Sequence, residues 1–304
     1  RLIEVSASAK AKAYYLRGNV YRENRQFSPA IADYDQAIRL EPGYAAAYYD
    51  RSVAYVSLGQ FLPAIADLSA AIKADPLYIN AYYNRGWIYD KKTGQKDKAL
   101  ADYTKVLELD PGSADAYNNR GTVYQSLGQF DQALDDFNKA LTINPRESNA
   151  YNNRALIYEL RGQLAEALTD YSRSLAIDAW NPLLYINRAR VYRAKGQLAE
   201  ALADCCRALE LDPEFIRAYN QRGMIYQAQG QDRQALADYN RALSREPKFV
   251  DAHFNKAIVC EKLGYTAEAI REYKAFLQYA GLLDGRAEAA RRRLGELAGN
   301  KAGS

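Results

Sequence analysis

The chain has 304 residues, and its 41 basic and 37 acidic side chains leave a formal net charge of only +4. This balance, and the lack of lysine or arginine runs interleaved with aromatic residues, predicts that nucleic acid is not the partner. Three cysteines do not make a disulfide framework, and no apolar run reaches the roughly 18 residues that a membrane-spanning helix needs.

Closely similar segments recur along the chain. Residues 116–124 are Ala-Tyr-Asn-Asn-Arg-Gly-Thr-Val-Tyr, and residues 150–158 are Ala-Tyr-Asn-Asn-Arg-Ala-Leu-Ile-Tyr. Six prolines lie 34 residues apart or at a multiple of that spacing, with one extra residue between the second and the third: Pro42, Pro76, Pro111, Pro145, Pro213 and Pro247. A fixed period of this size predicts a solenoid of stacked repeats with one continuous core, whose concave surface binds a partner.

The elements of one unit follow from residue spacing. Apolar residues at helical spacing give a first helix one buried stripe, a glycine ends this helix, and a second helix ends at the proline. One alanine in each second helix predicts close approach of two helix backbones: Ala30, Ala64, Ala99, Ala133, Ala167, Ala201, Ala235 and Ala269. We predict eight units over residues 11–283, starting near residues 11, 45, 80, 114, 148, 182, 216 and 250. An extension or partial cap at 1–10 precedes them, and a capping helix and tail at 284–304 follows.

Three places depart from this pattern. The first unit has Asn24-Arg25 where the others have a glycine, which predicts a looser turn. One extra residue within 91–98 predicts a longer turn in the third unit. Ala179 replaces the expected proline, with Pro182 three residues later, which predicts a longer or bent junction between the fifth and sixth units.

The recurring order of aromatic residue, small residue, tyrosine, alanine, aromatic residue, alanine and proline resembles the tetratricopeptide repeat (TPR). The resemblance covers Ala11 to about Gly281. It implies an all-α fold, an alpha-alpha superhelix of eight helix-turn-helix repeats wound right-handed, with a C-terminal capping helix. That last helix has an apolar stripe of Ala287, Ala290, Leu294 and Leu297. A basic binding tail is the alternative, because three consecutive arginines start at Arg291.

Opposite charges recur at two positions of every unit. The first helix carries Arg17, Arg51, Arg85, Arg120, Arg154, Arg188, Arg222 and finally Lys256, and the second helix carries Asp33, Asp67, Asp102, Asp136, Asp170, Asp204, Asp238 and finally Glu272. We predict a salt bridge between the two helices of each unit, or between a second helix and the next first helix, with bidentate geometry available to the arginines. An arginine column that binds an acidic ligand is the alternative.

The resemblance also implies that the first helices line the concave groove. Amides recur there, and an amide offers both a donor and an acceptor to the peptide groups of an extended chain. Aromatic residues accompany them toward the N-terminus, and aromatic side chains dominate binding hot spots. The predicted peptide-binding residues are Tyr15, Asn19, Tyr49, Asp50, Tyr83, Asn84, Trp87, Asn118, Asn119, Asn152, Asn153, Asn187, Asn220, Gln221 and Asn255. A polar face that meets only solvent is the alternative.

No catalytic, metal or cofactor site is predicted. His253, the single histidine, replaces a core tyrosine, which predicts a packed side chain. No serine or cysteine has a candidate base, and neither metal-ligand spacing nor a phosphate-binding loop occurs. The cysteines are predicted to be small core residues. The carboxylate clamp known in this family is predicted to be absent, because only Asn19 fits its pattern and Asp50 would repel a carboxylate.

We therefore predict a non-enzymatic protein–protein interaction scaffold that binds an extended peptide or partner segment in the groove. One alternative is a structural protein that self-associates, and another is the sensor part of a longer regulatory chain. The location is left open, with the cytoplasm favoured. A signal peptide removed before Arg1 would instead indicate the periplasm or secretion.

Overall fold

The computed structural model describes residues 6–281 and 284–299. Within these ranges the chain forms seventeen helices and no β-strand, which confirms the all-α class. The chain divides into two compact units, Arg1–Ala150 and Tyr151–Ser304, and the boundary falls inside the ninth helix. From here on, unit means one of these two parts, and each helix pair is called a repeat.

The helices are short and evenly spaced. In the first unit they are α1 (Ala7–Glu23), α2 (Phe27–Leu40), α3 (Ala45–Ser57), α4 (Phe61–Ala74), α5 (Ile79–Ile88), α6 (Lys96–Leu109), α7 (Ala114–Ser126) and α8 (Phe130–Ile143). Helix α9 (Ser148–Leu160) contains the unit boundary. The second unit continues with α10 (Leu164–Ile177), α11 (Pro182–Ala194), α12 (Leu198–Leu211), α13 (Ile216–Ala228), α14 (Asp232–Arg245), α15 (Val250–Lys262), α16 (Thr266–Tyr279) and α17 (Ala287–Gly299).

Each odd-numbered helix up to α15 leads through a short turn into the even-numbered helix packed against it. We call the odd-numbered member of a pair its first helix and the even-numbered member its second helix. All eight alanines predicted at the close contact are fully buried. A Cβ atom built on Gly121 would come within 2.7 Å of the Phe137 ring, and one on Gly223 within 2.6 Å of the Tyr239 ring. Small residues on both helices therefore allow the backbones to approach around one buried aromatic ring.

The turn between α1 and α2 is closed as tightly as the turns that contain glycine. Gly128 has φ 73°, and Gln129 N beside it donates to Tyr124 O at 2.9 Å. Arg25 takes the same left-handed conformation with φ 58°, and Gln26 N donates to Tyr21 O at 2.8 Å. The expected looser turn is thus wrong, because the backbone of a non-glycine residue adopts the strained conformation instead, at a cost of roughly 1–2 kcal/mol.

The extra residue of the third repeat lies in a helix rather than in a turn. The end of α5 widens into a π-helical turn over Tyr89–Thr93, and Gly94 follows with φ 68°. Gln95 N then donates to Tyr89 O at 2.8 Å and closes the turn. The predicted longer turn is therefore wrong, because a π-turn absorbs one residue without ending the helix.

The junction between α10 and α11 has the same length as the others. It has four residues, 178–181, like the junctions at 41–44 and 212–215. Pro182 occupies the first turn of α11, where its missing N–H is not needed. Tyr185 Oη donates to Ala179 O at 3.2 Å, just as Tyr219 Oη donates to Pro213 O at 3.0 Å. The predicted lengthening is wrong, since this hydrogen bond needs only the carbonyl of residue 179 and not a proline ring.

The last helix packs as a cap. Ala287 and Ala290 are buried beside Phe276, and Leu294 is partly buried in the same cluster, as the apolar stripe predicts. Arg293 Nε donates to Glu261 on α15 at 3.0 Å, so this arginine is engaged within the protein. At the other end of the chain, Ser6 caps α1, and residues 1–5 of the predicted N-terminal cap lie outside the described residues.

The arginine in each first helix forms two parallel hydrogen bonds with the carboxylate in its own second helix. Nε and Nη2 donate to the two carboxylate oxygens at 2.6–2.8 Å in all seven pairs: Arg17–Asp33, Arg51–Asp67, Arg85–Asp102, Arg120–Asp136, Arg154–Asp170, Arg188–Asp204 and Arg222–Asp238. The predicted salt bridge between the two helices of a repeat is confirmed.

The same arginine also contacts the preceding second helix. Arg120 Nη1 donates to Thr104 Oγ1 at 3.0 Å, and equivalent bonds join Arg85 to Ser69 at 2.8 Å. The Arg120 guanidinium lies 5.7 Å from the Tyr117 ring and 5.8 Å from the Tyr124 ring. One arginine therefore holds three helices and is flanked by the two tyrosines of its own helix, where cation–π attraction adds to the ion pair.

The strained turn gives a first test. Replacing Arg25 by glycine should raise the free energy of unfolding by about 0.5–1 kcal/mol, because glycine adopts a positive φ without steric cost while its greater unfolded-state entropy offsets part of the gain. Urea unfolding measures this. The matched control, Gly128→Ala, should lower stability, and a loss of stability in Arg25→Gly would show that the side chain at residue 25 matters more than its backbone strain.

The three-helix role of Arg120 gives a second test. Arg120→Ala should lower the free energy of unfolding by about 3 kcal/mol, because Asp136, whose side chain is 3% exposed, keeps its charge without a partner. Adding Asp136→Asn should recover part of the loss. Thr104→Val, which removes only the bond to the preceding helix, should cost about 1 kcal/mol. Additive effects in the double-mutant cycle would contradict a direct pair.

Candidate functional site

The predicted groove residues all lie on first helices, and many are joined from one repeat to the next. In the first unit Asn84 Nδ2 donates to Tyr49 Oη at 3.0 Å, and Asn119 Nδ2 donates to Tyr83 Oη at 2.7 Å. Tyr15 Oη donates to Asp50 Oδ2 at 2.7 Å in the same register. Each bond joins consecutive first helices, so these side chains form a ladder that was not predicted.

The ladder continues in the second unit with amides on both sides. Asn187 Nδ2 donates to Asn152 Oδ1 at 2.9 Å, and Asn255 Nδ2 donates to Asn220 Oδ1 at 3.0 Å. Both pairs are 35 residues apart. Asn152 also donates to its neighbour Asn153, with 3.4 Å between Nδ2 and Oδ1.

One rung is broken. The register that pairs Asn187 with Asn152 pairs Gln221 with Ile186, which has no acceptor. Gln221 is 7% exposed, and its Nε2 has no hydrogen-bond partner within the described residues. The sequence already shows this exception, since Ile186 stands where the fourth, fifth and seventh repeats have asparagine.

The ladder uses only part of each amide. The NH2 groups of Asn84, Asn119, Asn187 and Asn255 donate one hydrogen to the neighbouring repeat. An amide has a second hydrogen and an oxygen with two lone pairs. No bond to the protein is formed by these four amide oxygens in the part of the chain that the structure describes. The amides can therefore stabilise the stacking of repeats and still bind a peptide group.

The aromatic residues of the first unit are half-buried rather than fully exposed. The Tyr49 ring packs on Tyr78 with 5.1 Å between centroids, and the Tyr83 ring packs on Tyr103 at 5.8 Å. Burial raises the pKa of both Tyr49 and Tyr83. Trp87 lines a cavity of about 190 Å³ among α3, α4 and α5, whose other walls include Val53, Val56 and Leu68.

Two of the predicted groove residues have structural partners near the N-terminus. Asn19 Oδ1 accepts from Tyr34 Oη at 2.7 Å, and Asp50 is paired with Arg22 at 3.2 Å. Asn118, another predicted residue, is buried at 8% exposure. These three residues are less available to a ligand than the sequence suggested.

A second cavity lies among α11, α13 and α15 and was missed by the sequence analysis. Its volume is about 470 Å³, and its walls include Asn220, Gln221 and Asn255 of the predicted set. Four arginines also line it: Arg190, Arg193, Arg217 and Arg286. These arginines do not recur from repeat to repeat, so the periodic pattern does not single them out.

Chemistry beyond binding has little support in the described residues. No group of three or more His, Cys, Asp or Glu side chains there is placed to hold a metal ion. Burial raises the pKa of the Cys205 thiol and raises that of Cys260 to about 11, so both are protonated and poorly nucleophilic near neutral pH. No described helix has both the length and the apolarity to cross a membrane.

Family profiles agree with the repeat geometry. A tetratricopeptide repeat model matches residues 11–44, 114–147, 148–181 and 216–249, and related repeat models match 45–76, 68–101, 90–128 and 189–230. The chain belongs to the tetratricopeptide repeat family. Members of this family are generally protein–protein interaction scaffolds and are typically not enzymes. No curated protein matches the sequence.

Solved structures of TPR proteins share this fold. A tetratricopeptide repeat protein from Parabacteroides merdae is 24% identical, with a TM-score of 0.63 over 84% of this chain and 98% of that chain. Cut9–Hcn1 of the APC/C is 16% identical, with a TM-score of 0.67 over 95% and 55%. MamA is 26% identical, with a TM-score of 0.51 over 53% and 94%.

The last TPR replaces the usual tyrosine, arginine and aspartate by His253, Lys256 and Glu272. His253 Nδ1 lies 2.6 Å from Glu272 Oε2, and its Nε2 lies 2.9 Å from Pro247 O. Lys256 Nζ lies 2.9 Å from both Glu272 and Glu268. The packed position predicted for the histidine is therefore found, with an acceptor at each ring nitrogen.

Those acceptors set the protonation of the cluster. Burial alone would lower the pKa of His253, but the hydrogen bonds to Glu272 and to Pro247 O outweigh it and raise the pKa above its ordinary value of 6.5. Burial would raise the pKa of Glu272, but His253 and Lys256 outweigh it and lower that pKa to about 2. The imidazolium and the carboxylate therefore stabilise one another in the folded state.

A third test follows from the sign of these shifts. Because the folded pKa of His253 is raised, its stabilisation should be complete below pH 6.5 and be lost as pH rises through the folded pKa. Hydrogen exchange of α15 and α16 measures this. His253→Tyr, which copies the bond of Tyr219 to Pro213 O, should remove the pH dependence in that range. If the variant kept the pH profile of the wild type, the pH dependence would not come from His253.

Proposed function

We propose that this TPR protein is a non-enzymatic scaffold that binds an extended peptide or partner segment on the faces formed by its first helices. The observation that carries the proposal is the partly used amide ladder. Asn84 and Asn119 in the first unit, and Asn187 in the second, are fixed in place by the neighbouring repeat while an amide oxygen and one hydrogen of each stay available. Amides held in this way need lose little side-chain entropy when a ligand binds.

Sequence preference would come from a different set of residues. The cavity beside Trp87 is small and mostly apolar, and Asn84 is one of the residues that line it. An apolar side chain of a ligand could enter it while the ladder binds the main chain. The Lys92 ammonium lies 5.1 Å from the Trp87 ring centre, which fixes the ring by a cation–π contact. In the second unit Asn255, which donates one hydrogen to Asn220, would bind main-chain groups in the same way.

The ladder allows a substitution that separates binding from folding. Asn84→Asp with Asn119→Asp reverses the two bonds, because each new carboxylate can accept from the hydroxyl of Tyr49 or Tyr83, as Asp50 accepts from Tyr15. It removes the donors for peptide carbonyl groups. Binding to a peptide array should weaken about tenfold across most sequences, with the unfolding midpoint nearly unchanged.

The controls distinguish this proposal from its alternatives. Gln132→Glu makes the same change on the exposed face of α8 and should bind as the wild type does. Trp87→Ala should weaken only the peptides with a suitable apolar side chain. Static light scattering over a range of concentrations should show a monomer. A partner that binds normally to the ladder and Trp87 variants would favour a binding surface on the second helices. A mass that rises with concentration would favour self-association instead.

A further inference from the structure

The cavity among α11, α13 and α15 combines positive charge with an apolar wall. Its volume of about 470 Å³ lies within the range of small-ligand pockets, about 300–1,000 Å³. Ile186, Met224 and Phe249 form the apolar part of its lining. The only carboxylate on the lining within the described residues is Asp251.

Two of the four arginines on the lining are already neutralised. Arg190 Nη2 donates to Glu159 Oε2 at 2.7 Å, and Arg286 forms ion pairs with Asp251 at 2.8 Å and with Asp284 at 2.7 Å. The single lining carboxylate is therefore used by Arg286. These contacts leave the other two arginines as the source of net positive charge.

Arg193 and Arg217 have no ion pair with any described residue. The Arg193 Nε is shielded from solvent and has no hydrogen-bond partner. Gln221 is in the same situation, because Ile186 takes the place of the acceptor in its rung of the ladder, and it is more than nine-tenths buried. Shielded donors without acceptors destabilise a folded protein, so an acceptor from outside would be bound favourably.

We infer that this cavity binds a carboxylate of the peptide ligand, with Arg193 and Arg217 supplying the charge and Gln221 supplying a further donor. The inference rests on the proposed function, since it assigns a ligand group to one part of the peptide-binding surface. Arginine has the planar fork that matches a carboxylate, and it has no acceptor atoms. Two unneutralised cations match one or two such groups, and the apolar wall suits an apolar residue beside the acid.

The carboxylate has two sources, an internal Asp or Glu side chain or the C-terminus of the peptide. A peptide array can separate them with matched sets of four: a peptide with Glu, the same peptide with Gln, and each with a free or an amidated C-terminus. Wild-type protein should bind the acidic members about tenfold more tightly than their neutral counterparts. A preference that amidation abolishes identifies the C-terminus, and one that Glu→Gln abolishes identifies the side chain.

Variants of the cavity test the residues assigned to it. Arg193→Gln with Arg217→Gln should abolish the acidic preference and leave neutral peptides bound as before. Arg233→Gln, the same change at an exposed position of α14, should keep the preference. Gln221→Leu should raise the unfolding midpoint, because it removes a buried unpaired donor, and should also weaken acidic peptides. If Gln221 had only a structural role, this change would instead lower the unfolding midpoint.

The outcomes of the two proposals differ. A wild-type protein that binds peptides without acidic preference would overturn the carboxylate site and leave the proposed function standing. Equal weakening of acidic and neutral peptides by the arginine double variant would also overturn it, because it would show a general effect on the surface. If no peptide in the array is bound, the proposed function fails and the carboxylate site fails with it.

Discussion

The ion pair between an arginine of a first helix and the carboxylate of its second helix is the interaction on which each repeat depends. Arg120 shows why, since it binds Asp136 with two nitrogens and Thr104 of the preceding second helix with a third. The backbones can approach this closely only because alanine and glycine face one aromatic ring, as at Gly121 and Phe137. A carboxylate in this narrow space would be unstable without the guanidinium, so packing and charge must be satisfied together.

A second polar lattice, the ladder of amides and tyrosine hydroxyls, joins consecutive first helices. It differs from the ion pairs in how much of its capacity the fold uses. All three nitrogens of the Arg120 guanidinium donate to neighbouring helices, whereas Asn119 gives one of its two hydrogens to Tyr83 and its amide oxygen bonds to no described protein group. The same side chain therefore contributes to stacking and has capacity for a ligand. This division explains how a surface of repeated asparagines can be both structural and functional.

The sequence predicted the features that repetition makes visible. Eight copies of a basic residue and an acid, seven of them with arginine, identified the ion pair, and the period identified the helix pairs. Features that occur once were harder to predict. The extra residue of the third repeat is compatible with a longer turn or with the π-turn at Tyr89–Thr93, and only packing selects between them. Likewise, nothing in the preference of arginine indicates that Arg25 takes a positive φ. The ladder was missed because the partner of Asn119 lies 36 residues away, at a distance that depends on how repeats stack.

The departures from repetition carry the most information about this particular protein, because a regular repeat satisfies its own polar groups. Ile186 removes one acceptor from the ladder, and the consequence appears at Gln221, whose Nε2 is buried without a partner. Buried polar groups without a partner are rare in native structures, so one at this place calls for an explanation, and ligand binding supplies one. The same cavity also collects arginines that have no place in the periodic pattern. A broken rung and unneutralised charge in one cavity are two independent irregularities, and binding of an acidic group would satisfy both.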